Sequence, residues 1–158
     1  MSAPAPLISP GQPIPDFSAE TTGGPMRLSD FAGKMLVLYF YPKDNTPGCT
    51  SEAGDFSAAH EDFRQAGAEI LGVSRDSLKS HASFREKLGI PFDLISDADE
   101  QLCQLFDVIK NKTLYGKQVR GIERSTFLIG PDGTLMREWR KVRVPGHVDE
   151  ILQAVRQP

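Results

Sequence analysis

Cys49 is the residue of this sequence with the greatest capacity for chemistry, because a cysteine thiolate is a strong nucleophile. It ends a loop that is rich in turn-forming residues, 44–48, and Thr50 and Ser51 follow it as common N-cap types. This pattern predicts that Cys49 lies at, or just before, the first turn of a helix. The unpaired N–H groups and the dipole of a helix N-terminus stabilise an anion, so this position favours the thiolate.

A second interpretation of Cys49 is a small buried apolar side chain, the usual role of a free cysteine. Placement alone does not decide between the two, because a helix N-terminus contributes about 0.3–1 kcal/mol, rising to ~2 when partly buried. Making a free thiol, with a pKa of about 8.5, mostly ionised near pH 7 needs about 3.4 kcal/mol. The reactive interpretation therefore requires a nearby cation.

The elements that must position Cys49 are a strand before it and a helix after it. Residues 35–41 form a continuous apolar and aromatic run, as expected of a strand buried on both faces, and Pro42 ends the run. After the cysteine, apolar residues recur at helical spacing; they are Ala53, Phe56, Ala59 and Phe63. The sequence thus predicts a strand, a tight loop and a helix, with Cys49 at the last junction.

Pro42, Thr46 and Cys49 form the pattern Pro-x-x-x-Thr-x-x-Cys, which resembles the active-site motif of the peroxiredoxins. The longer stretch at 41–50, Tyr-Pro-Lys-Asp-Asn-Thr-Pro-Gly-Cys-Thr, is similar to the bacterioferritin comigratory protein subfamily, also called peroxiredoxin Q. The resemblance covers nearly the whole chain from Gly11 onwards. It implies a thiol-dependent peroxidase that reduces hydrogen peroxide and organic hydroperoxides, with Cys49 oxidised to a sulfenic acid.

Arg124 is the candidate for the missing cation. Taken alone it is a solvated charge at the start of a strand, but its position matches the family's active-site arginine ahead of a Ser/Thr-x-Phe strand, here 125–127. A guanidinium stays charged and offers several fixed donors. By this resemblance, Arg124 holds the Cys49 thiolate and polarises the peroxide.

Thr46, Pro42 and Glu52 complete the chemistry around the motif. The Thr46 hydroxyl can donate and accept, which suits the positioning of a peroxide, although simple turn formation explains it equally well without the motif. Pro42 is expected to shape the pocket and to keep water from the sulfur. We leave Glu52 outside the predicted site, because its place in the first turn of a helix explains a carboxylate fully.

The resolving step is where this sequence departs from many relatives, which keep a second cysteine five residues after the first or on the following helix. Here those positions hold Gly54 and a cysteine-free stretch, 78–88. Cys103 lies at the flank of a predicted helix, 99–109, and we interpret it as a structural side chain. We therefore expect an external thiol, from thioredoxin, glutaredoxin or glutathione, to resolve Cys49, with an atypical two-cysteine cycle through Cys103 as the alternative.

Two other functions are possible for such a chain. A thioredoxin-like disulfide reductase needs a Cys-x-x-Cys pair, and Glu52 occupies the second cysteine position. A thioredoxin-fold interaction module without turnover has no need for Pro42, Thr46, Cys49 and Arg124 together. A thiol peroxidase is therefore the predicted activity.

The remaining pattern predicts one α/β domain over residues 1–158. Strands are predicted at 69–74, 90–95, 125–130 and 134–139, and helices at 77–87, 99–109 and 148–155. Residues 110–121 are read as polar and irregular. The alternation predicts a mixed central sheet flanked by helices, and a turn at 21–25 suggests an N-terminal hairpin extension. The resemblance implies that this is a thioredoxin-like fold, and residues 1–10, rich in Ala and Pro, are expected to form a mobile arm.

Composition excludes several classes of function. The net charge is −3 and the basic residues are scattered, so we expect neither nucleic acid nor a membrane as partner. Two cysteines and no recognisable secretory signal fit a cytoplasmic protein. The histidines, His60, His81 and His147, have no metal-ligand spacing with the cysteines, and there is no phosphate-binding loop. We expect a monomer without cofactor or metal.

Overall fold

A seven-stranded mixed sheet forms the centre of the computed structural model, which describes residues 8–158. In chain order the strands are β1 (Ser18–Thr21), β2 (Gly24–Arg27), β3 (Met35–Phe40), β4 (Ala68–Ser74), β5 (Leu94–Ser96), β6 (Ile109–Leu114), β7 (Lys117–Ile122), β8 (Ser125–Ile129) and β9 (Leu135–Trp139). Seven strands belong to this sheet, and β6 and β7 form a separate two-stranded ribbon. The helices are α1 (Pro47–Gln65), α2 (Leu78–Leu88), α3 (Gln101–Leu105) and α4 (His147–Arg156), with a 3-10 turn at Leu28–Phe31.

The sheet has the strand order β2-β1-β5-β4-β3-β8-β9. The strands β3, β4 and β5 run parallel, and β8 pairs antiparallel with β3. The predicted α/β fold with a mixed sheet and flanking helices is confirmed, and so is the N-terminal hairpin, β1–β2; the strands β8 and β9 also pair antiparallel.

Two separate cores cover the two faces of this sheet, because side chains alternate between faces along each strand. Val37 and Tyr39 of β3 pack in the first core, with α1, α2 and α4. Leu38 and Phe40 pack in the second core, with α3 and the N-terminal segment. The prediction that β3 is buried on both faces is therefore confirmed.

The helix α1 begins earlier than predicted. Thr46 is its N-cap and Pro47 is its first residue, whereas the sequence suggested a start at Thr50 or Ser51. The reason is that proline is favoured at the first helical position, where its fixed φ fits and no N–H is needed. Cys49 is therefore the third residue of the helix and lies inside the first turn.

The prediction that the segment 110–121 is irregular is wrong, because this segment forms the antiparallel ribbon β6–β7. Tyr115 and Gly116 form its turn, with φ of 52° and 77°, as a two-residue hairpin turn requires. The prediction depended on apolar alternation, which a ribbon with solvent on most of its surface does not need. The predicted helix 99–109 is also too long. The helix α3 ends at Leu105, and Ile109 is already the first residue of β6.

The predicted arm, 1–10, falls mostly on residues 1–7, which lie outside the described residues. Within the described part, Ile8 packs against the second core, and the Ser9 N–H donates to Gln12 Oε1 at 3.0 Å. No helix in residues 8–158 combines the length and apolar character that crossing a membrane requires.

Candidate active site

Cys49 and Arg124 meet at the end of the sheet where β3 leads into α1. Arg124 directly precedes β8, whose first residue, Ser125, pairs with Phe40, the last residue of β3. This register brings the arginine to the loop that carries the cysteine. Arg124 Nη2 lies 3.5 Å from the Cys49 Sγ atom, and Cys49 is only 1% exposed. Arg124 is therefore the nearby cation that the reactive interpretation of Cys49 requires.

Gly48 permits this close approach. A Cβ atom at position 48 would lie 3.1 Å from Arg124 Nη2, which is tighter than ordinary contacts. Since Pro47 has no N–H, the first unpaired helical donors belong to Gly48 and Cys49. A guanidinium and two backbone donors thus converge on the region of the sulfur.

Glu52 is a member of this site that sequence reasoning left out. It lies three residues after Cys49, is fully buried, and its Oε1 accepts a hydrogen bond of 2.6 Å from Arg124 Nη1. Its second oxygen, Oε2, has no hydrogen-bond partner among the described residues. The i, i+3 spacing on one helical face was the available signal, because such residues are neighbours on a helix.

Burial controls the ionisation of this pair. It raises the pKa of Glu52 to about 7, although the charge of Arg124 and its hydrogen bond act in the opposite direction. Burial also opposes the charge on Arg124, but Glu52 and Cys49 outweigh it and hold the pKa of the arginine above its ordinary value. The arginine therefore stays charged while the carboxyl group can hold a proton near neutral pH.

Thr46 and Pro42 lie on the loop that enters α1. The Thr46 hydroxyl donates to the Lys43 carbonyl at 2.8 Å, which is a turn contact, and its oxygen keeps lone pairs that can accept a further hydrogen bond. Pro42 is exposed at the start of the loop, directly after β3. The loop therefore presents both residues on the same short segment before Cys49.

A buried network anchors this loop from below. The Asp44 side chain accepts hydrogen bonds from Tyr41 Oη at 2.7 Å and from Ser80 Oγ at 2.8 Å. It also lies 2.8 Å from His81 Nδ1, and these two side chains are 1% and 0% exposed. Burial disfavours its charge, but the hydrogen bonds from His81 and Tyr41 prevail and lower the pKa of Asp44.

Both ring nitrogens of His81 face acceptors, because Nε2 lies 2.9 Å from the Ile95 carbonyl. A carbonyl and a carboxylate can only accept, so each ring nitrogen is placed to donate to its neighbour. The sequence pattern gave no indication of this contact between His81 and Asp44. Asp76 lies beside this pair: one carboxylate oxygen of Asp76, one of Asp44 and a ring nitrogen of His81 all lie within 4.8 Å of one another. The Asp76 carboxylate also accepts a hydrogen bond from the Asp44 N–H at 2.9 Å.

Cys103 is far from this arrangement in the fold. It belongs to the second core, whereas Cys49 belongs to the first, so the sheet separates the two sulfurs. Its N–H donates to Asp97 Oδ2 at 2.7 Å. Burial, together with the hydrogen bond and charge of Asp97, raises the pKa of Cys103 above its ordinary value. A raised pKa lowers the thiolate fraction of Cys103 and so disfavours its reaction.

Comparison with known families matches residues 10–137 to the AhpC/TSA family. The chain belongs to this family of peroxiredoxins. It is 56% identical over 142 residues to Peroxiredoxin Bcp of Xanthomonas campestris, and the aligned residues cover 89% of each chain. It is 51% identical over 150 residues to Peroxiredoxin Bcp of Bacillus subtilis, with 94% and 96% covered.

Solved peroxiredoxin structures share the fold. The X. campestris bacterioferritin comigratory protein, for which alkyl peroxide reduction activity is described, superposes with a TM-score of 0.85 at 55% identity, covering 89% and 90% of the chains. A peroxiredoxin Q mutant from Xylella fastidiosa gives a TM-score of 0.91 at 46% identity, with 97% and 98% covered. The predicted family, the thioredoxin-like fold and the thiol peroxidase activity are thereby confirmed.

Proposed function

We propose that this peroxiredoxin reduces hydrogen peroxide and small organic hydroperoxides through Cys49 and completes its cycle with an external thiol. The observation that carries the proposal is the position of the Cys49 sulfur in the first turn of α1, 3.5 Å from Arg124. A helix N-terminus and a guanidinium both stabilise a thiolate, which is the reactive form.

In the oxidation step the Cys49 thiolate attacks one peroxide oxygen. A sulfur–oxygen bond forms, the O–O bond breaks, and its electron pair leaves with the other oxygen, which takes a proton to become water or an alcohol. Arg124 and the backbone donors of α1 stabilise the charge that develops on the leaving oxygen. Thr46 accepts the hydrogen bond of the peroxide, and Pro42 limits access of water. Cys49 is left as a sulfenic acid.

In the resolving step an external thiol attacks the sulfenic acid, releases water and forms a mixed disulfide with Cys49. A second thiol then releases the reduced cysteine. The opposed positions of Cys49 and Cys103 support this route over an internal disulfide, because disulfide formation needs Cα atoms within about 7 Å. Thioredoxin, glutaredoxin and glutathione are the candidate reductants.

We further propose that the protein acts in the cytoplasm as a monomer. Two free, buried cysteines suit a reducing compartment, since neither forms a disulfide. Sedimentation or size-exclusion measurement of the reduced and oxidised protein tests the monomer; a stable dimer in both states contradicts it.

Peroxide consumption with dithiothreitol as the thiol donor tests the proposed function directly. Wild type and Cys103→Ser are expected to turn over hydrogen peroxide and tert-butyl hydroperoxide at similar rates, whereas Cys49→Ser is expected to be inactive. Activity that survives Cys49→Ser contradicts the assignment. Circular dichroism of each variant checks that a loss of activity does not reflect a loss of the folded structure.

A further inference from the structure

The ribbon β6–β7 is the part of the surface that the catalytic mechanism leaves unexplained. Its residues, 109–122, include four basic side chains and no acidic one, although the whole chain has a net charge of −3. The described residues have four exposed large hydrophobic side chains, and the ribbon carries three of them, Leu114, Tyr115 and Val119. Tyr115, at the turn, is 97% exposed.

The register of the ribbon sorts these residues onto one face. Lys112 pairs with Val119 and Leu114 pairs with Lys117, and directly paired residues project to the same side of a ribbon. Lys110, two residues before Lys112, projects to that side as well. We call this set the cationic face; it consists of Lys110, Lys112, Leu114, Lys117 and Val119.

The opposite face of the ribbon is held against the body of the protein. Arg120 forms an ion pair with Glu100, which also accepts a hydrogen bond of 3.1 Å from Arg75. Ile122 is buried in the second core at the base of the ribbon. The cationic face is therefore turned outward, and within residues 8–158 neither Lys112 nor Lys117 has an ion-pair partner.

This face continues towards the active site. A cavity of about 510 Å³ lies between the ribbon and the segment after β9. Four basic side chains line it, Lys110, Lys112, Arg140 and Lys141, together with Glu123 and with Asp107, which forms an ion pair with Lys110. Glu123 directly precedes Arg124, and the Val142 N–H donates to the Arg124 carbonyl at 3.0 Å. The cavity at the end of the cationic face therefore adjoins residues that are next to Arg124 and Val142 in the chain.

We propose that the cationic face is the docking surface for an acidic dithiol protein that reduces oxidised Cys49. The inference rests on the external-thiol cycle proposed above. Opposite charge steers such a partner and raises its association rate, while Leu114, Tyr115 and Val119 supply apolar contact. One partner thiol forms the mixed disulfide with Cys49 as water leaves, and the second thiol displaces Cys49 as the partner becomes a disulfide.

The test compares a protein reductant with a small one. The probe is an acidic bacterial thioredoxin, kept reduced by its reductase and NADPH, and dithiothreitol is the small donor. The double variant Lys112→Glu/Lys117→Glu reverses two charges on the cationic face. Lys79→Glu/Lys87→Glu, on exposed positions of α2, makes the same change in net charge elsewhere and is the matched control.

We expect the ribbon variant to lose about tenfold or more in kcat/KM for thioredoxin at low salt, with dithiothreitol-supported turnover unchanged. The α2 variant should keep both activities near those of wild type. Raising the salt concentration should slow thioredoxin-supported turnover in wild type more than in the ribbon variant. Leu114→Ser/Tyr115→Ser should weaken thioredoxin-supported turnover without this change in salt dependence.

Equal losses of kcat/KM for thioredoxin in the ribbon and α2 variants overturn the proposal, because the loss would then depend on the net charge of the protein and not on the cationic face. An unchanged kcat/KM in the ribbon variant also overturns it, as does a wild type that turns over with dithiothreitol but not with thioredoxin. A wild type that fails with dithiothreitol as well contradicts the proposed function itself, so the two failures are distinguishable.

Discussion

Cys49 and Arg124 are 75 residues apart in the chain, and their side chains lie 3.5 Å apart in the fold. The pairing of β8 with β3 produces this contact, and Gly48 leaves room for it. The arginine touches both the sulfur and Glu52, so it links the reacting atom to a buried carboxyl group.

The first prediction concerns Arg124. Arg124→Ala should lower kcat/KM for hydrogen peroxide by about 10²-fold or more, since a preorganised donor to developing charge is lost. Arg124→Lys keeps the charge without the planar fork and should be intermediate. An unchanged kcat/KM in Arg124→Ala would remove the arginine from the site.

The second prediction separates the two interpretations of Thr46. Thr46→Val keeps the branched shape but deletes the hydroxyl, so most of kcat/KM for peroxide should be lost while the melting temperature changes little. Thr46→Ser keeps the hydroxyl and should retain most activity. If Thr46→Val is as active as Thr46→Ser, the hydroxyl serves only the turn contact with Lys43.

The third prediction concerns the pH dependence of stability at Glu52. Its pKa is raised from 4.5 to about 7, so between these pH values the unfolded chain releases the proton and the folded chain keeps it. The free energy of unfolding should therefore fall as pH rises through this window, by on the order of 3 kcal/mol, and level off above it. Glu52→Gln should lack this slope.

Urea unfolding at pH 5, 6, 7 and 8 measures the effect as the difference between wild type and Glu52→Gln. Glu61→Gln is the control, because Glu61 lies on the exposed side of the same helix. Parallel pH profiles for wild type and Glu52→Gln would show that Glu52 is ionised throughout the range.

The fourth prediction concerns the buried pair beneath the loop. His81→Gln leaves the buried Asp44 carboxylate without its partner, which should cost about 3–5 kcal/mol of stability. Adding Asp44→Asn removes that charge and should recover part of the loss, so the two substitutions should be strongly non-additive. His60→Gln, on a half-buried site of α1, should have a small effect. Additive costs in urea unfolding would contradict the coupling between His81 and Asp44.

How much of the site was predictable depends on the range of the signal. Cys49, Thr46 and Pro42 stand in one contiguous motif, and local patterns predicted the strand, loop and helix that hold them, although α1 begins earlier than predicted. Arg124 required the family resemblance, because the register between β3 and β8 is a long-range property that no local pattern reveals.

Glu52 and the His81–Asp44 pair were missed for a related reason. A carboxylate near a helix start and a histidine beside apolar residues both have ordinary local explanations, and only the fold shows that they are buried with partners. The ribbon β6–β7 was missed because its two strands have no apolar alternation to detect.

The fate of oxidised Cys49 tests the account most directly. Wild-type protein is treated with one equivalent of hydrogen peroxide, trapped with a sulfenic-acid reagent and analysed by mass spectrometry. We predict a trapped sulfenic acid at Cys49 and a free thiol at Cys103, since the sheet lies between the two sulfurs. Excess peroxide without donor thiol should then convert Cys49 to the sulfinic acid. A Cys49–Cys103 disulfide as the main product would contradict the account and establish an internal two-cysteine cycle.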